Sequence, residues 1–456
     1  MRAARMILVV AISTFACAAW GQSMSQSGGD AALAQKLATE SYAMSAKYVG
    51  PGSCAASSCH GGIQARNTTK VLQNEYSTWI VQDRHSRAYA ALLEPRSARM
   101  AKILKIGPPQ KAQECLVCHA LDVPKGQMAR PIDLSDGVSC ESCHGPASEW
   151  LGPHVQMDAS YSDMVKLGLI DNRNLVVRAK NCLTCHLGSP TQEVTHEMLA
   201  AGHPDLTFEL DSFQSIEPPH WVEWAQGKNK PGVDSLYGVR IWSVGQIVQL
   251  RESLLKLTRD VNSNHWPEYT DMNCFSCHHS LTSSKNSWRQ AVGYSGRRPG
   301  NPSYNMSRYI VFEHFLDEID PSGAAKLKQD MATVYTQASE LNPDRATLVQ
   351  NANIAAADAK SLESEVNDAV YTHQRTMDLL ESISGDGQAI SLQGERSAEQ
   401  AAMALDSLYI ADTKNGHPNP AVRSSIDAMY KMLSNPSAYN APMFAAQMAR
   451  VHAALE

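Results

Sequence analysis

Apolar residues are distributed along this chain in four different ways. From Met6 to Trp20 they dominate a run of 15 residues, broken only by Ser13 and Thr14, behind a positive start at Arg2 and Arg5. Such a run is too short to span a bilayer comfortably and has the form of a secretory signal, with Ala18, Ala19 and Gly21 as the small residues before a cut at Gln22. Residues 22–49 are small and polar, with one predicted helix from about Ala31 to Ala46. From residue 50 to about 205 the pattern has little period, and Gly and Pro are frequent. Periodicity returns between Val239 and Val261, where Ile241, Val244, Ile247, Val248, Leu254, Leu255 and Leu257 populate one side of a predicted amphipathic helix. A Pro/Gly-rich, basic stretch, SWRQAVGYSGRRPGNPSYN, then marks a boundary near residue 300. Beyond it, helical patterns cover about 306–318, 322–341, 345–383, 396–412, 420–433 and 438–455. Asp320-Pro321 and Asn419-Pro420 read as a cap followed by the first helical residue, and Gly385 as a stop.

Composition narrows the class. Of 456 residues, 43% are hydrophobic and 19% charged, and the net charge of −6 becomes −8 when Arg2 and Arg5 are removed with the leader. These values describe a globular protein and argue against a disordered tail, a polytopic membrane protein or a basic nucleic-acid binder. No later apolar run reaches about 18 residues, so the processed chain is expected to be soluble. Cys17 offers a lipidation site as the alternative to simple cleavage, but Thr14 stands where such signals prefer Leu. The chain shows no Gly-rich phosphate loop, nucleophile elbow or parallel α/β pattern.

The cysteines change the picture most. Of 11, Cys17 lies in the leader and the other ten form five pairs, each followed at once by His. They are Cys54-Ala-Ala-Ser-Ser-Cys59-His60, Cys115-Leu-Val-Cys118-His119, Cys140-Glu-Ser-Cys143-His144, Cys182-Leu-Thr-Cys185-His186 and Cys274-Phe-Ser-Cys277-His278. Four are C-x-x-C-H, the attachment signature of c-type haem. Two thiols add to the two vinyl groups on one porphyrin edge, and the adjacent His swings beneath the ring to ligate iron. A disulfide framework does not require His after every second Cys, and zinc ligand sets do not repeat in this form. Thioredoxin-like C-x-x-C sites occur singly. The first pair has four intervening residues; a longer loop still reaches both vinyls, with a disulfide as its main rival. Five covalently attached haem c groups are expected.

Five proximal His leave 11 others of the 16. Seven precede residue 300: His85, His154, His196, His203, His220, His265 and His279. A second His or Met completes the iron's coordination and favours electron transfer, while an open position permits small-molecule binding. His85 lies in YSTWIVQDRHSRAYAALL, read as an amphipathic helical stretch, and His154 follows His144 by ten residues. His196 and His203 bracket a predicted short helix with Ser189 as cap, Pro190 first, Gln192 as capping-box partner and Gly202 as stop. They lie about two turns apart, ~10 Å along the axis, and so would serve different irons. His279 adjoins His278 and would ligate another haem; His220 is the reserve and His265 the weakest. The Met residues compete as ligands, but most sit in helical patterns where packing explains them. Bis-His ligation is expected for at least three haems. The four later His are read as structural, and Arg289, Arg297 and Arg298 as an exposed loop or as partners for haem propionates.

Several strings resemble the multihaem cytochromes of the cytochrome c-554 type over about residues 48–290. They are YVGPGSC, W…RHSRAYAAL, DGVSCESCHGPASEW…H, CLTCHLGSP…EVTHEMLAAGHPDLTFEL…PPHW and CFSCHHSL…SWRQ. The resemblance implies an exported, mostly α-helical haem-packed scaffold with few strands, closely stacked porphyrins, and electron passage among redox partners. It also implies distal roles for His85, His154, His196 or His203, and His279. Two features depart from the namesake pattern: five motifs rather than four haems, and two extra residues in the first motif. The expected organisation is a signal peptide (1–21), a leader (22–49), a pentahaem domain (50–300) and a helical C-terminal domain (301–456).

The expected function is that of a periplasmic or extracellular electron carrier working with redox proteins and not with nucleic acid. The alternative is an oxidoreductase acting on nitric oxide, nitrite or hydroxylamine at a five-coordinate haem. A third reading has the helical tail docking the chain into a membrane-bound or extracellular electron-transfer complex.

Overall fold

The computed structural model describes residues 46–66, 71–223, 235–278, 301–414, 416, 418–435 and 438–456. The leader with Cys17, most of the predicted 31–46 helix, His279 and the Arg289, Arg297 and Arg298 loop lie outside the described residues. The fold is mostly helical. Among the described residues no strand forms, only the isolated bridges Tyr48–Met128, Ser189–Gln192 and Met272–Tyr304.

Short helices carry the first part of the chain: α1 Glu75–Gln82, α2 Ala88–Ala91, α3 Pro95–Leu104, α4 Gln113–His119, α5 Cys140–His144 and α6 Tyr161–Lys166. Their buried apolar side chains gather in two small groups. Val49, Ala147, Trp150 and Met164 form one, and Leu92, Leu116 and Ala120 the other. Polar ties do much of the joining instead. Buried Glu141 accepts the amides of Val49, Gly50 and Ala147 at 2.7–2.9 Å, and Trp79 Nε1 donates to Val138 O at 3.1 Å. Gly137 has φ 67°, and a Cβ there would stand 2.6 Å from His85 O, so only glycine fits the approach.

Next come α7 Leu175–His186, α8 His196–Ala201, α9 Leu210–Ile216 and the long α10 Tyr237–Asn262. The predicted helix from Val239 is α10, and 19 of its 26 residues are buried, Gln246 and Gln249 included. Gln249 and Gln400 each donate Nε2 to Phe208 O at 3.0 Å. The C-terminal helices are α11 Glu313–Ile319, α12 Pro321–Ala338, α13 Arg345–Asp368, α14 His373–Gly385, α15 Gly387–Leu392, α16 Glu395–Thr413, α17 Pro420–Leu433 and α18 Ala441–Leu455. One apolar core runs from Leu175 on α7 through α10 to Val451 on α18. The small face of α13, Ala352, Ala355, Ala356 and Ala359, belongs to this core, and α13 packs on α10. Asp320 and Asn419 are caps as expected, each accepting from amides of the first turn.

Four predicted stretches differ in detail. The helix expected through His85 ends at Gln82, because Asp83 is extended and turns its carboxylate back to the His85 amide at 2.9 Å. Ser189 and Gln192 close a turn on each other, so α8 begins at His196 with Thr195 as its cap, and His203 falls just beyond the left-handed stop at Gly202. The run read as 345–383 breaks at residues 369–372, where Thr372 caps a new helix and Tyr371 stacks on Phe315 at 5.9 Å. The helix expected from 306 begins at Glu313.

Candidate haem sites

Each regular motif places its two thiols and its His by local backbone geometry. In α4, α5 and the end of α7 the two Cys are one helical turn apart, on one face, with the His next in line. The fifth motif does the same with a 3-10 turn, and His278 N donates to Cys274 O at 2.8 Å. The first motif has two more residues and turns over Ala56–Cys59, Cys59 N donating to Ala56 O at 2.8 Å. Its His60 N nevertheless donates to Cys54 O, at 3.2 Å, so the same closure is reached from a longer spacer. No two of the ten motif cysteines are joined in a disulfide. Cys54 lies in hydrogen-bonding contact with Cys140, and Cys118 with Cys185, which brings the first site against the third and the second against the fourth.

The imidazoles then meet in pairs, each pair containing one motif His. His60 faces His154 with ring centres 6.2 Å apart, and His186 faces His85 at 6.3 Å. His119 faces His203 and His278 faces His196, each at 6.4 Å. A metal–imidazole nitrogen bond is about 2 Å long, so two such bonds plus the two ring radii span about 6 Å. The gaps therefore fit an iron held between two rings, and the residues present suit a c-type haem at each pair. Most of these rings are also oriented as ligands should be. Nδ1 bonds to Glu75 in His60 (2.9 Å), to Ala88 O in His119 (2.9 Å) and to Pro204 O in His203 (2.8 Å). In His154 it reaches Leu151 O, and in His85 it reaches Asp83 at 3.1 Å and Glu217 at 3.5 Å. With Nδ1 engaged, Nε2 is left for the metal.

Sequence reasoning named all these His but not the carboxylates behind them. The hydrogen bond to Glu75 raises the His60 pKa, and the one to Asp83 raises that of His85, in each case against burial. Burial pushes His186 down to about 4, its ring packed between Phe208 at 5.2 Å and Phe213 at 5.1 Å. The Asp-x-His spacing of Asp83 and His85 was the one local signal of such a partner. Glu75 and Glu217 come from elsewhere in the chain and gave none.

His144 stands apart. Among the described residues no imidazole faces it as the other four motif His are faced. Burial, with His220 and His60 nearby, pushes it down to about 4. His220 sits on the loop after α9, with Nδ1 on Pro218 O at 3.1 Å. That loop is fixed by Glu223, which accepts from Trp221 at 2.7 Å and from Arg178 at 2.8 Å. Among the described residues, His265 meets no facing imidazole. Arg396 on α16 straps the fifth site to the helical body, donating to Thr270 O at 2.6 Å while pairing with Asp205.

Among the described residues, no helix is long and apolar enough to cross a membrane, and no three His, Cys, Asp or Glu gather to hold a bare metal ion. No curated protein and no solved structure matches the chain. Residues 53–145, which carry the first three attachment motifs, match the family described as cytochrome c554 and c-prime. The match supports a c-type cytochrome in electron transfer, with covalently bound haem c as the implied cofactor.

Proposed function

We propose that the chain is an exported pentahaem c-type cytochrome passing electrons between redox protein partners through closely placed, mainly bis-His haems. The observation that carries this reading is the four imidazole pairs at 6.2–6.4 Å, each holding one motif His. A second imidazole fills the coordination sphere, and this favours electron transfer over ligand binding. Carboxylates on His60 and His85 strengthen those ligands as donors and favour the oxidised iron, so the first and fourth haems are the lower-potential ones. The second, backed only by the carbonyls of Ala88 and Pro204, lies higher.

Export is supported by Arg2, Arg5 and the apolar run after them, and it places the protein in the periplasm or outside the cell. The helical C-terminal region is the part left to dock on a membrane-bound or extracellular complex. The test is mass measurement of the processed protein together with its resting electron paramagnetic resonance spectrum. Five haem additions and mostly low-spin signals are expected; a largely high-spin spectrum overturns the reading.

His144 favours a second reading for one site alone. With no facing imidazole among the described residues, the third haem is the place for a five-coordinate iron and for chemistry on a small nitrogen compound. Nitric oxide, cyanide or nitrite should then perturb the spectrum of one haem; a silent titration removes this reading.

A further inference from the structure

We propose that Asp260 and Asp271, held against Lys256, form a proton-binding site that takes up one proton when the haem at Cys274–His278 accepts an electron. The inference rests on the reading that a haem is attached there. Lys256 lies on α10 with its stem against Gly188, two residues beyond His186. Its ammonium meets Asp260 at 2.5 Å, Asp271 at 3.0 Å and Glu193 at 3.4 Å. Asp271 stands three residues before Cys274, and Glu193 three before His196. The cluster is thus bounded by the ligand segments of the fourth and fifth sites.

Lys256, Asp260 and Asp271 are all at least nine-tenths buried. Three ionised carboxylates around one ammonium leave excess negative charge where water is scarce, which favours holding a proton. The Asp260 and Asp271 carboxyls lie within hydrogen-bonding reach of each other, and Asp271 Oδ2 is buried without a partner. A proton on one carboxyl supplies the O–H donor that the pair otherwise lacks. Burial, then the Asp271 charge, pushes Asp260 up to about 7. Facing it are Lys256 from its own helix, Asp271 from the turn before the fifth motif, and Glu193 with Glu268 beside it. From α13, Arg345 reaches only the carbonyls of Ser263 and Trp266. A cavity of about 50 Å³ lined by Lys256, Thr270, Asp271, Tyr304, Arg308 and Arg396 adjoins the cluster, room enough for water to deliver protons.

The step balances simply. A carboxylate oxygen forms one O–H bond with a proton from water as one electron arrives at the haem from a redox partner. Reoxidation releases both.

The experiment is a spectroelectrochemical titration of the haem-loaded full chain on either side of neutral pH, after peptide mass has located haem on Cys274 and Cys277. One component should fall in potential as pH rises, by up to about 59 mV per tenfold change in proton concentration. Asp260→Asn should abolish that slope. Asp358→Asn, which alters the exposed Lys326–Asp330–Asp358 group, should keep it. Potentials independent of pH in the wild type, or an unchanged slope in Asp260→Asn, overturn the proposal. Where Asp260→Asn fails to load haem, the wild-type infrared difference spectrum decides: a carboxylic C=O band must grow on reduction, and its absence overturns the site. Lack of haem on Cys274 and Cys277 overturns the underlying reading instead.

Discussion

Between Ala46 and Leu169 the polypeptide buries two small apolar groups, one around Trp150 and one around Leu116, and carries three attachment motifs. From Leu175 to Val451 it builds one continuous core through α7, α10 and the C-terminal helices, and carries two. The first region holds the pair His60–His154, ring centres 6.2 Å apart, and lends His85 and His119 to two more, with little apolar core of its own. The second supplies its own interior and anchors two attachment motifs to its edge, the fourth through Leu175, Ala179 and Leu183 on α7, the fifth through Arg396. Local sequence therefore has two dialects here. Where the chain fills its own core, periodicity reports the structure; where a porphyrin is to fill it, spacing of Cys and His does.

The sharpest way to break this comparison is to withhold the cofactor. A chain produced without haem attachment should keep the helical signal of residues 237–455 and lose amide protection across 46–169, read by hydrogen exchange. Equal protection in both regions would remove the distinction. Next in size, Leu254→Ala in the fully buried face of α10 should cost about 2–5 kcal/mol in denaturant unfolding. The same truncation at Leu116, in a group of three buried residues, should cost less in haem-free protein. Arg396→Gln should cost about 1.5–3 kcal/mol, discounted because Asp205 is partly exposed, and should speed exchange over residues 268–278. Smallest, Thr195→Ala removes the cap of α8 and should cost about 1 kcal/mol, seen as broadened signals of the haem that His196 faces. On the chemical side, Glu75→Gln should raise the potential of the first haem while leaving that of the second in place.

Much of the site was legible in the sequence, because thioether chemistry dictates Cys-x-x-Cys-His and the remaining His were few. The caps at Asp320 and Asn419 and the span of α10 were legible for an equally local reason. Which imidazole meets which motif was not: His85 comes to His186, and His154 to His60, across about a hundred residues each. The early helix end before His85 and the late helix start after Ser189 share one cause. At His85 and at Ser189 a polar side chain competes with the helix for its own backbone, and the pattern of apolar residues is blind to that contest. The Lys256 group was hidden because its members come from α10, the turn before the fifth motif and the segment before α8, and no window of sequence holds them together.

The closure of the first motif has a wider consequence. What the histidine needs is an acceptor for its amide at the first cysteine's carbonyl, and the residues looping out between the thiols can lengthen without disturbing that bond. A search keyed to the length of the spacer passes over such a site; one keyed to where the amide proton ends up retains it, and with it one more stepping stone for charge.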